Sequence, residues 1–296
     1  MMKAKTQSNK PQIMKNIIVP LDFSVDSIKG LELAMLFAKY MAVKIQLVFV
    51  QHRRDVPSLE EEEYLQAEKK FKKLIEIYNK QLHEGSQITY IIKKGKVYQE
   101  VVGQAQAFKD SIIVASTHGA SGFEELFIGS NAYRIICTTE RPVITIRQLP
   151  VPQKISKIIL PIDAGVETRQ KVVFSSLIAQ IFGSTIHVVT LSESKNKKLI
   201  SRLNAYSEQV CNYLKNKDIP YVTNSLIGEN SLNALLNYAE KENAELISVV
   251  NESGYSIADL IAGSFAQQVI SKSPIPVLTI RAKPHTIKES FSTFGG

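Results

Sequence analysis

The chain repeats itself, and this repeat constrains its fold more than any other feature of the sequence. Residues 15–24 read KNIIVPLDFS and residues 156–165 read SKIILPIDAG, so an apolar run ends in Pro-x-Asp twice, 141 residues apart. The two halves also end alike, with RPVITIR at 141–147 and IPVLTIR at 275–281, and each carries a Gly-Ser pair shortly before that end. Anchors that match in the same order predict a duplicated domain. A chain of 296 residues is long enough for two domains of ordinary size.

Between these anchors, each half alternates short strands with helices. Residues 45–50 and 112–115 are continuous apolar runs, and the apolar residues of 24–39 have helical spacing. Continuous apolar strands separated by helices are typical of a parallel sheet that is covered on both faces. We therefore predict an α/β fold of two similar doubly wound domains, each with a five-stranded parallel sheet. In the second half, the pattern predicts one unbroken helix over residues 168–182.

The boundary between the domains is expected in residues 149–154, LPVPQK, where two prolines and a polar exit interrupt the apolar pattern. This division gives a first domain at 15–150 and a second at 154–282. Residues 1–14 are predicted to be a disordered tail. Residues 1–12 are polar and contain no apolar core of a signal peptide, so we do not expect them to be one. Residues 283–296 lack periodicity and are predicted to be a C-terminal tail.

A ligand is expected beyond the carboxyl ends of the strands, where the strand order reverses. The most informative stretch there is residues 112–130, IIVASTHGASGFEELFIGS, in which a buried strand runs into a loop rich in Gly, Ser and Thr. Glycines allow close approach to an anion, and a helix that opens at Gly129 and Ser130 would offer unpaired N–H groups. The residues alone leave two interpretations open: a phosphate cradle, or turn glycines at Gly119 and Gly122 with Ser130 as an N-cap.

With these motifs, the chain resembles the universal stress protein family in a tandem two-domain form, from about residue 15 to residue 281. The resemblance rests on Pro-x-Asp-Phe-Ser at 20–24, on the stretch 112–130 and on the closing Arg-Pro-Val-Ile strand. It implies a Rossmann-like fold of the adenine nucleotide alpha hydrolase type. Members with one domain commonly dimerise through their last strands, so the resemblance implies an intramolecular pseudo-dimer in which residues 143–146 and 277–280 lie side by side.

The resemblance also implies a set of nucleotide-binding residues in the first domain. Asp22 corresponds to an aspartate that binds adenosine, and Val50 to a backbone group beside the base. The family pattern G-x2-G-x9-G-[ST] is matched except that Ser116 takes the place of the first glycine. From the residues alone, Asp22 could instead cap the following helix together with Ser24. The full set is Asp22, Val50, Ser116, His118, Gly119, Gly129 and Ser130.

The second domain departs further from this pattern. Asp163, Gly263 and Ser264 match the aspartate and the Gly-Ser pair of the first domain, but Val250 and Ser253 occupy the two earlier glycine positions. A β-branched valine resists positive φ and fills space that a phosphate would need. We therefore expect a degenerate second site.

The composition argues against several other classes of protein. The 36 Lys and Arg outnumber the 28 Asp and Glu, and this net charge of +8 fits an anionic ligand without by itself indicating nucleic acid. Two isolated cysteines, Cys137 and Cys211, indicate a reducing compartment. Residues 172–192 are uncharged but too polar for a membrane span, and neither a P-loop nor a metal-ligand spacing is present. We expect a cytoplasmic protein with no metal site, no membrane contact and no nucleic-acid partner.

The leading functional hypothesis is a stress-response protein that binds ATP or ADP, with or without Mg²⁺, in its first domain. The nucleotide would be a regulatory ligand that changes the affinity for an unidentified protein partner. An enzymatic alternative is slow ATP hydrolysis or self-phosphorylation in the same pocket, although no catalytic residue stands out. A third hypothesis is a scaffold that binds protein partners with both pockets empty. Association of two whole chains stays open.

Overall fold

The computed structural model describes residues 14–51, 56–117, 128–147, 150–228, 230–251 and 264–283. Within these ranges the chain forms ten strands, eight α-helices and one 3₁₀ turn. The strands are β1 (Asn16–Pro20), β2 (Lys44–Gln51), β3 (Gln87–Lys94), β4 (Ser111–Ser116), β5 (Val143–Ile146), β6 (Lys157–Ile162), β7 (Thr185–Ser192), β8 (Tyr221–Ile227), β9 (Leu246–Asn251) and β10 (Val277–Arg281). The helices are α1 (Val25–Ala38), α2 (Pro57–Asn79), α3 (Val97–Gln106), α4 (Ser130–Thr138), α5 (Val172–Phe182), α6 (Lys197–Asn216), α7 (Ser231–Lys241) and α8 (Phe265–Lys272).

The ten strands form one continuous sheet in the order β3-β2-β1-β4-β5-β10-β9-β6-β7-β8. Each half contributes five parallel strands in the same order, and the halves meet where β5 pairs antiparallel with β10. Ile144 lies opposite Leu278 in this pairing. The predicted fold class and the predicted pairing of the two last strands are confirmed. The pairing protects two edges that would otherwise offer free hydrogen-bonding groups.

Helices cover both faces of the sheet, and the apolar core on each face extends across both domains. The core on one face packs α1 and α2 of the first domain together with α5 and α6 of the second. The core on the other face packs α3 and α4 together with α7 and α8. Phe37 of α1 contacts Phe182 of α5 edge to face, with ring centroids 5.1 Å apart. The two domains therefore share both apolar cores. No helix in the described ranges is long and apolar enough to cross a membrane.

Two arginines link the domains in a reciprocal way. Arg147, directly after β5, donates from Nη1 to the carbonyl oxygen of Ser271 in the last turn of α8, at 2.7 Å. Arg281, the last residue of β10, donates to the carbonyl oxygen of Thr138 at the end of α4, at 3.2 Å. The arginine that ends each of the matching segments RPVITIR and IPVLTIR thus caps a helix of the other domain. A cation at a helix C-terminus also interacts favourably with the helix dipole.

Removing either arginine is expected to weaken the junction between the domains. Arg147→Ala and Arg281→Ala should each lower the free energy of unfolding by about 1–2 kcal/mol, because each change removes a charge-assisted hydrogen bond and a helix-capping cation. Urea unfolding followed by circular dichroism measures this loss. Arg202→Ala, at an exposed position of α6, is the control and should change stability by less than about 0.5 kcal/mol. Equal stability of all three variants would contradict a linking role for the two arginines.

The second half differs from the prediction in its first helix, which is not continuous over residues 168–182. A 3₁₀ turn covers Val166–Arg169, and α5 begins only at Val172, with Lys171 as its N-cap. In the first half the corresponding helix α1 is unbroken. The apolar spacing alone could not indicate this interruption. It lies at Lys171, whose side chain is buried in the interior of the domain.

Candidate functional site

A cavity of about 750 Å³ lies at the carboxyl ends of β1, β2 and β4 in the first domain. Strand β1 lies between β2 and β4, so this is the place where the strand order reverses. Sites for small ligands occur at this place in parallel α/β sheets, and the volume lies within their usual range of about 300–1,000 Å³. The cavity is therefore the candidate functional site.

Five of the seven residues that the sequence predicts as nucleotide-binding line this cavity. They come from four separate parts of the chain, which only the fold brings together. His118 and Gly119 lie outside the described residues. The five are Asp22, Val50, Ser116, Gly129 and Ser130.

Asp22 lies in the turn between β1 and α1, where its carboxylate organises the backbone. Its Oδ1 accepts hydrogen bonds from the backbone N–H of Ser24, at 3.0 Å, and from the Ser24 hydroxyl, at 2.5 Å. The N–H of Asp22 donates to Oγ of Ser27, and Ser24 is the N-cap of α1. Asp22 thus supports the turn while its side chain is exposed on the cavity wall. A carboxylate has about four acceptor positions, so the turn and a ligand can share it.

The start of α4 forms another part of the cavity wall. The N-cap of this helix is Gly129, which offers no side-chain hydrogen bond to the first turn. The N–H of Gly129 donates to the carbonyl oxygen of Thr117 at 2.7 Å, and this bond fixes the start of the helix beside the end of β4. Ser130 is the first helical residue and not the N-cap. A helix N-terminus without a side-chain cap presents N–H groups to an anion.

One wall of the cavity, formed by α2, was not identified from the sequence. Leu59, Glu63, Gln66 and Lys70 line it together with Glu62. Four of these positions follow one another at intervals of four, three and four residues, which places them on one face of the helix. From the sequence alone, such a polar stripe cannot be distinguished from a solvated helix face.

An aromatic cluster supports the turn that carries Asp22. Phe23 has a φ of 65°, a conformation that costs energy for a residue other than glycine. Its ring packs edge to face on Phe71 at a centroid distance of 4.8 Å and also contacts Phe49. The ammonium of Lys70 lies 5.0 Å from the centre of the Phe23 ring. These contacts hold the strained turn between β1 and α1 in place.

The second domain keeps the aspartate turn but begins its last helix differently. Oδ1 of Asp163 accepts from the N–H of Gly165 at 2.7 Å, and the N–H of Asp163 donates to Oγ1 of Thr168 at 3.2 Å. The N-cap of α8 is Ser264, whose hydroxyl accepts from the N–H of Gln267. The hydroxyl therefore caps the first turn of α8, a role that no side chain fills in α4. Gly263, the other predicted remnant, lies outside the described residues.

Comparison with known sequences identifies the family. The sequence profile of the universal stress protein family matches residues 14–147 and again residues 154–281. The chain belongs to the universal stress protein family. It is a tandem member with two such domains, as the resemblance implied.

Individual relatives agree with this assignment. A universal stress protein of Methanocaldococcus jannaschii is 26% identical over 152 residues, which cover 47% of this chain and 86% of that protein. A universal stress protein of Synechocystis is 29% identical over 178 residues, which cover 58% of each chain. The crystal structure of a universal stress protein from Archaeoglobus fulgidus has a TM-score of 0.74 at 20% identity, over 90% of this chain and 98% of that one. This last similarity shows that the tandem fold is shared.

Proposed function

We propose that the first domain of this universal stress protein binds one adenine nucleotide, ATP or ADP, as a regulatory ligand. The observation that carries the proposal is the convergence of Asp22, Val50, Ser116, Gly129 and Ser130 on one cavity. The family resemblance implies a nucleotide-binding role for these residues, and the fold brings them together at the switch point of the sheet. The universal stress family membership supports a role in the stress response.

The chemistry of the walls gives each part of the nucleotide a place. Apolar residues of β2 and α2, Val48, Val50 and Ala67, would contact the base, and Asp22 would accept hydrogen bonds from the ribose hydroxyls. The phosphates would lie at the start of α4, near Gly129 and Ser130, where helix N–H groups can donate to them. Ser116, at the end of β4, would lie between the adenosine and the phosphates.

The carboxylates in the cavity favour a nucleotide that carries Mg²⁺. Asp22, Glu62 and Glu63 line the cavity together with Lys70, so acidic groups outnumber basic ones among its described side chains. A bare triphosphate would be repelled by this wall. Mg²⁺ prefers oxygen ligands and commonly enters with the phosphates, and Glu62 and Glu63 are the side chains that could contact its water shell. When bound, the ion would neutralise phosphate charge.

A regulatory role also requires a cellular compartment in which the protein acts and a partner that responds to ligand binding. Cys137 and Cys211 are free thiols in half-buried positions, which fits the reducing conditions of the cytoplasm. The nucleotide would favour one conformation of the first domain and so change its affinity for a protein partner. The cavity residues named above serve binding in this proposal, and none is assigned to a chemical step.

Calorimetry and mass spectrometry of the purified chain test the proposal. One ATP or ADP per chain, found co-purified or in titration, is the expected result. Phosphate release or label transfer to the chain during incubation with ATP would favour the enzymatic hypothesis instead. A chain that neither carries nor binds adenine nucleotide would favour the scaffold hypothesis and overturn the proposal.

The role of Asp22 is tested by Asp22→Asn. This change keeps an oxygen acceptor for the turn but removes the charge, so the fold should persist while the affinity for ATP falls about 10-fold, the effect of one hydrogen bond to a charged group. Asp26→Asn is the matched control, because Asp26 lies in the first turn of α1 and is not among the described residues that line the cavity. If the two variants bind ATP equally well, Asp22 serves the turn alone.

A further inference from the structure

The turns that contain Asp22 and Asp163 share their hydrogen bonds but differ at one nearby position. In both, the N–H of the aspartate donates to a hydroxyl five residues later, that of Ser27 in the first domain and that of Thr168 in the second. In both, the aspartate Oδ1 accepts from the N–H two residues later. Eight residues after the aspartate, however, the first domain has Gly30 and the second has Lys171.

Gly30 lies close to the backbone of the sheet in the first domain. A Cβ placed on it would lie 3.5 Å from the nitrogen of Ser116 and 3.5 Å from the carbonyl oxygen of Val114. This distance is ordinary van der Waals contact, so a side chain at this position would begin directly against the backbone of β4. Helix α1 therefore runs unbroken over β4, next to the cavity.

Lys171 is placed differently, at the start of a shortened helix. Its side chain is 1% exposed, and Nζ donates to Oγ1 of Thr168 at 3.1 Å. Ser27, the counterpart of Thr168, lines the cavity of the first domain. The ammonium of Lys171 thus lies beside the hydroxyl that corresponds to a wall of the nucleotide cavity.

Burial of the charged ammonium of Lys171 is energetically unfavourable. Burial lowers the pKa of Lys171 from 10.5 to about 8, and Asp163 partly opposes this shift because its carboxylate favours the charged form. Lysine is seldom fully buried unless it is paired. Asp163 is the counterpart of Asp22, so the aspartate that would contact the adenosine of a ligand acts in the second domain on an internal cation.

We propose that Lys171 is an internal occupant of the second site. Its side chain fills, beside Asp163 and Thr168, the region that in the first domain is open to the adenosine part of a nucleotide. The second domain is thereby closed to nucleosides, and the chain has one nucleotide site instead of two. This inference rests on the proposed function of the first domain.

The test is to restore glycine at this position. Lys171→Gly gives the second domain the residue found at Gly30. Adenosine is the probe because it lacks phosphates, and Val250 and Ser253 replace the glycines that the family pattern has for phosphate binding. Isothermal titration should show one more adenosine per chain than in the unchanged protein, bound in the second domain. The double variant Lys171→Gly, Asp163→Ala should lose this additional site, since the added ligand would depend on Asp163.

The outcomes of this experiment separate the inference from the proposed function. An increase from one adenosine site to two supports both. An increase from zero to one supports the second site, and the proposed function of the first domain fails if the unchanged chain also shows no binding in an ATP titration. A folded Lys171→Gly variant with an unchanged number of sites overturns the inference. If thermal unfolding shows that the glycine variant is not folded, Lys171→Ala is measured in the same way, and an unchanged site number in it has the same meaning.

Discussion

Replacing Lys171 by methionine is expected to raise the free energy of unfolding by about 3 kcal/mol at pH 7. The difference between a pKa of 10.5 in the unfolded chain and about 8 in the folded one corresponds to about 3 kcal/mol that the buried charge costs below pH 8. Methionine has a similar length and is apolar, so it can fill the same space without this cost. Urea unfolding at pH 7 measures the gain.

The pH dependence of the stability tests whether the buried charge is the cause of this gain. Between pH 8 and pH 10.5, the unfolded chain keeps the proton of Lys171 while the folded chain has lost it, so the stability of the unchanged protein rises with pH in this window. The advantage of Lys171→Met should therefore be constant below pH 8 and shrink toward zero as the pH approaches 10.5. Asp163 is the charged group that opposes the shift, and Lys171→Met should be compared at each pH with the unchanged chain.

The comparison has to be made as a difference because other groups titrate in the same window with the opposite effect. Burial raises the pKa of the Cys137 and Cys211 thiols and of the Tyr78, Tyr213 and Tyr238 hydroxyls. These groups ionise first in the unfolded chain, so they lower the stability as the pH rises. Their contribution is the same in both proteins and cancels.

A second lysine serves as the control for this experiment. Lys69 is exposed on α2, and Lys69→Met should change stability by less than about 0.5 kcal/mol at every pH. A Lys171→Met variant that is no more stable than the unchanged chain at pH 7, or whose advantage does not depend on pH, would show that the ammonium is solvated.

The same residue shows where sequence reasoning about the fold reaches its limit. The repeat, the parallel strands and the pairing of β5 with β10 were predictable, because each follows from apolar patterns and from the resemblance to the family. The break between Arg169 and Val172 was not, because it depends on where the lysine side chain goes. A lysine within an apolar run is normally expected to reach solvent.

The candidate site was predictable to a similar degree. Asp22 and Gly129 could be placed at strand ends from the sequence, and the structure adds that they share a cavity. The wall formed by α2 depends on how that helix crosses the sheet, which local spacing does not determine. Likewise, Gly-Ser occurs in both repeats, yet the N-cap is Gly129 in α4 and Ser264 in α8. The two helices start one residue apart in the repeat, so sequence identity did not predict equal capping.

This difference in capping leads to the prediction for Gly129→Val. The backbone of Gly129 has φ −56° and ψ 142°, a conformation that any residue can adopt. Its N–H can still donate to Thr117, so the fold should be retained. A valine side chain would instead occupy the space next to the first N–H groups of α4, and ATP affinity should fall at least about 100-fold, a loss of about 2.8 kcal/mol.

The glycine at position 103 offers a matched control for that variant. A Cβ placed on Gly103, in α3, meets nothing within 4 Å, so Gly103→Val adds the same side chain at an open position and should leave ATP binding unchanged. Unaltered ATP affinity in Gly129→Val would remove the start of α4 from the site.

Adenosine, used as a probe, distinguishes contacts with the nucleoside from contacts with the phosphates. Because adenosine does not extend to the start of α4 in the proposed arrangement, Gly129→Val should lower its affinity by less than about threefold, well under the 1.4 kcal/mol that a tenfold change represents. Asp22→Asn should weaken adenosine and ATP alike, since both carry the ribose. If Gly129→Val weakens adenosine as strongly as ATP, the valine has closed the whole cavity, and the assignment of the phosphates to α4 loses its support.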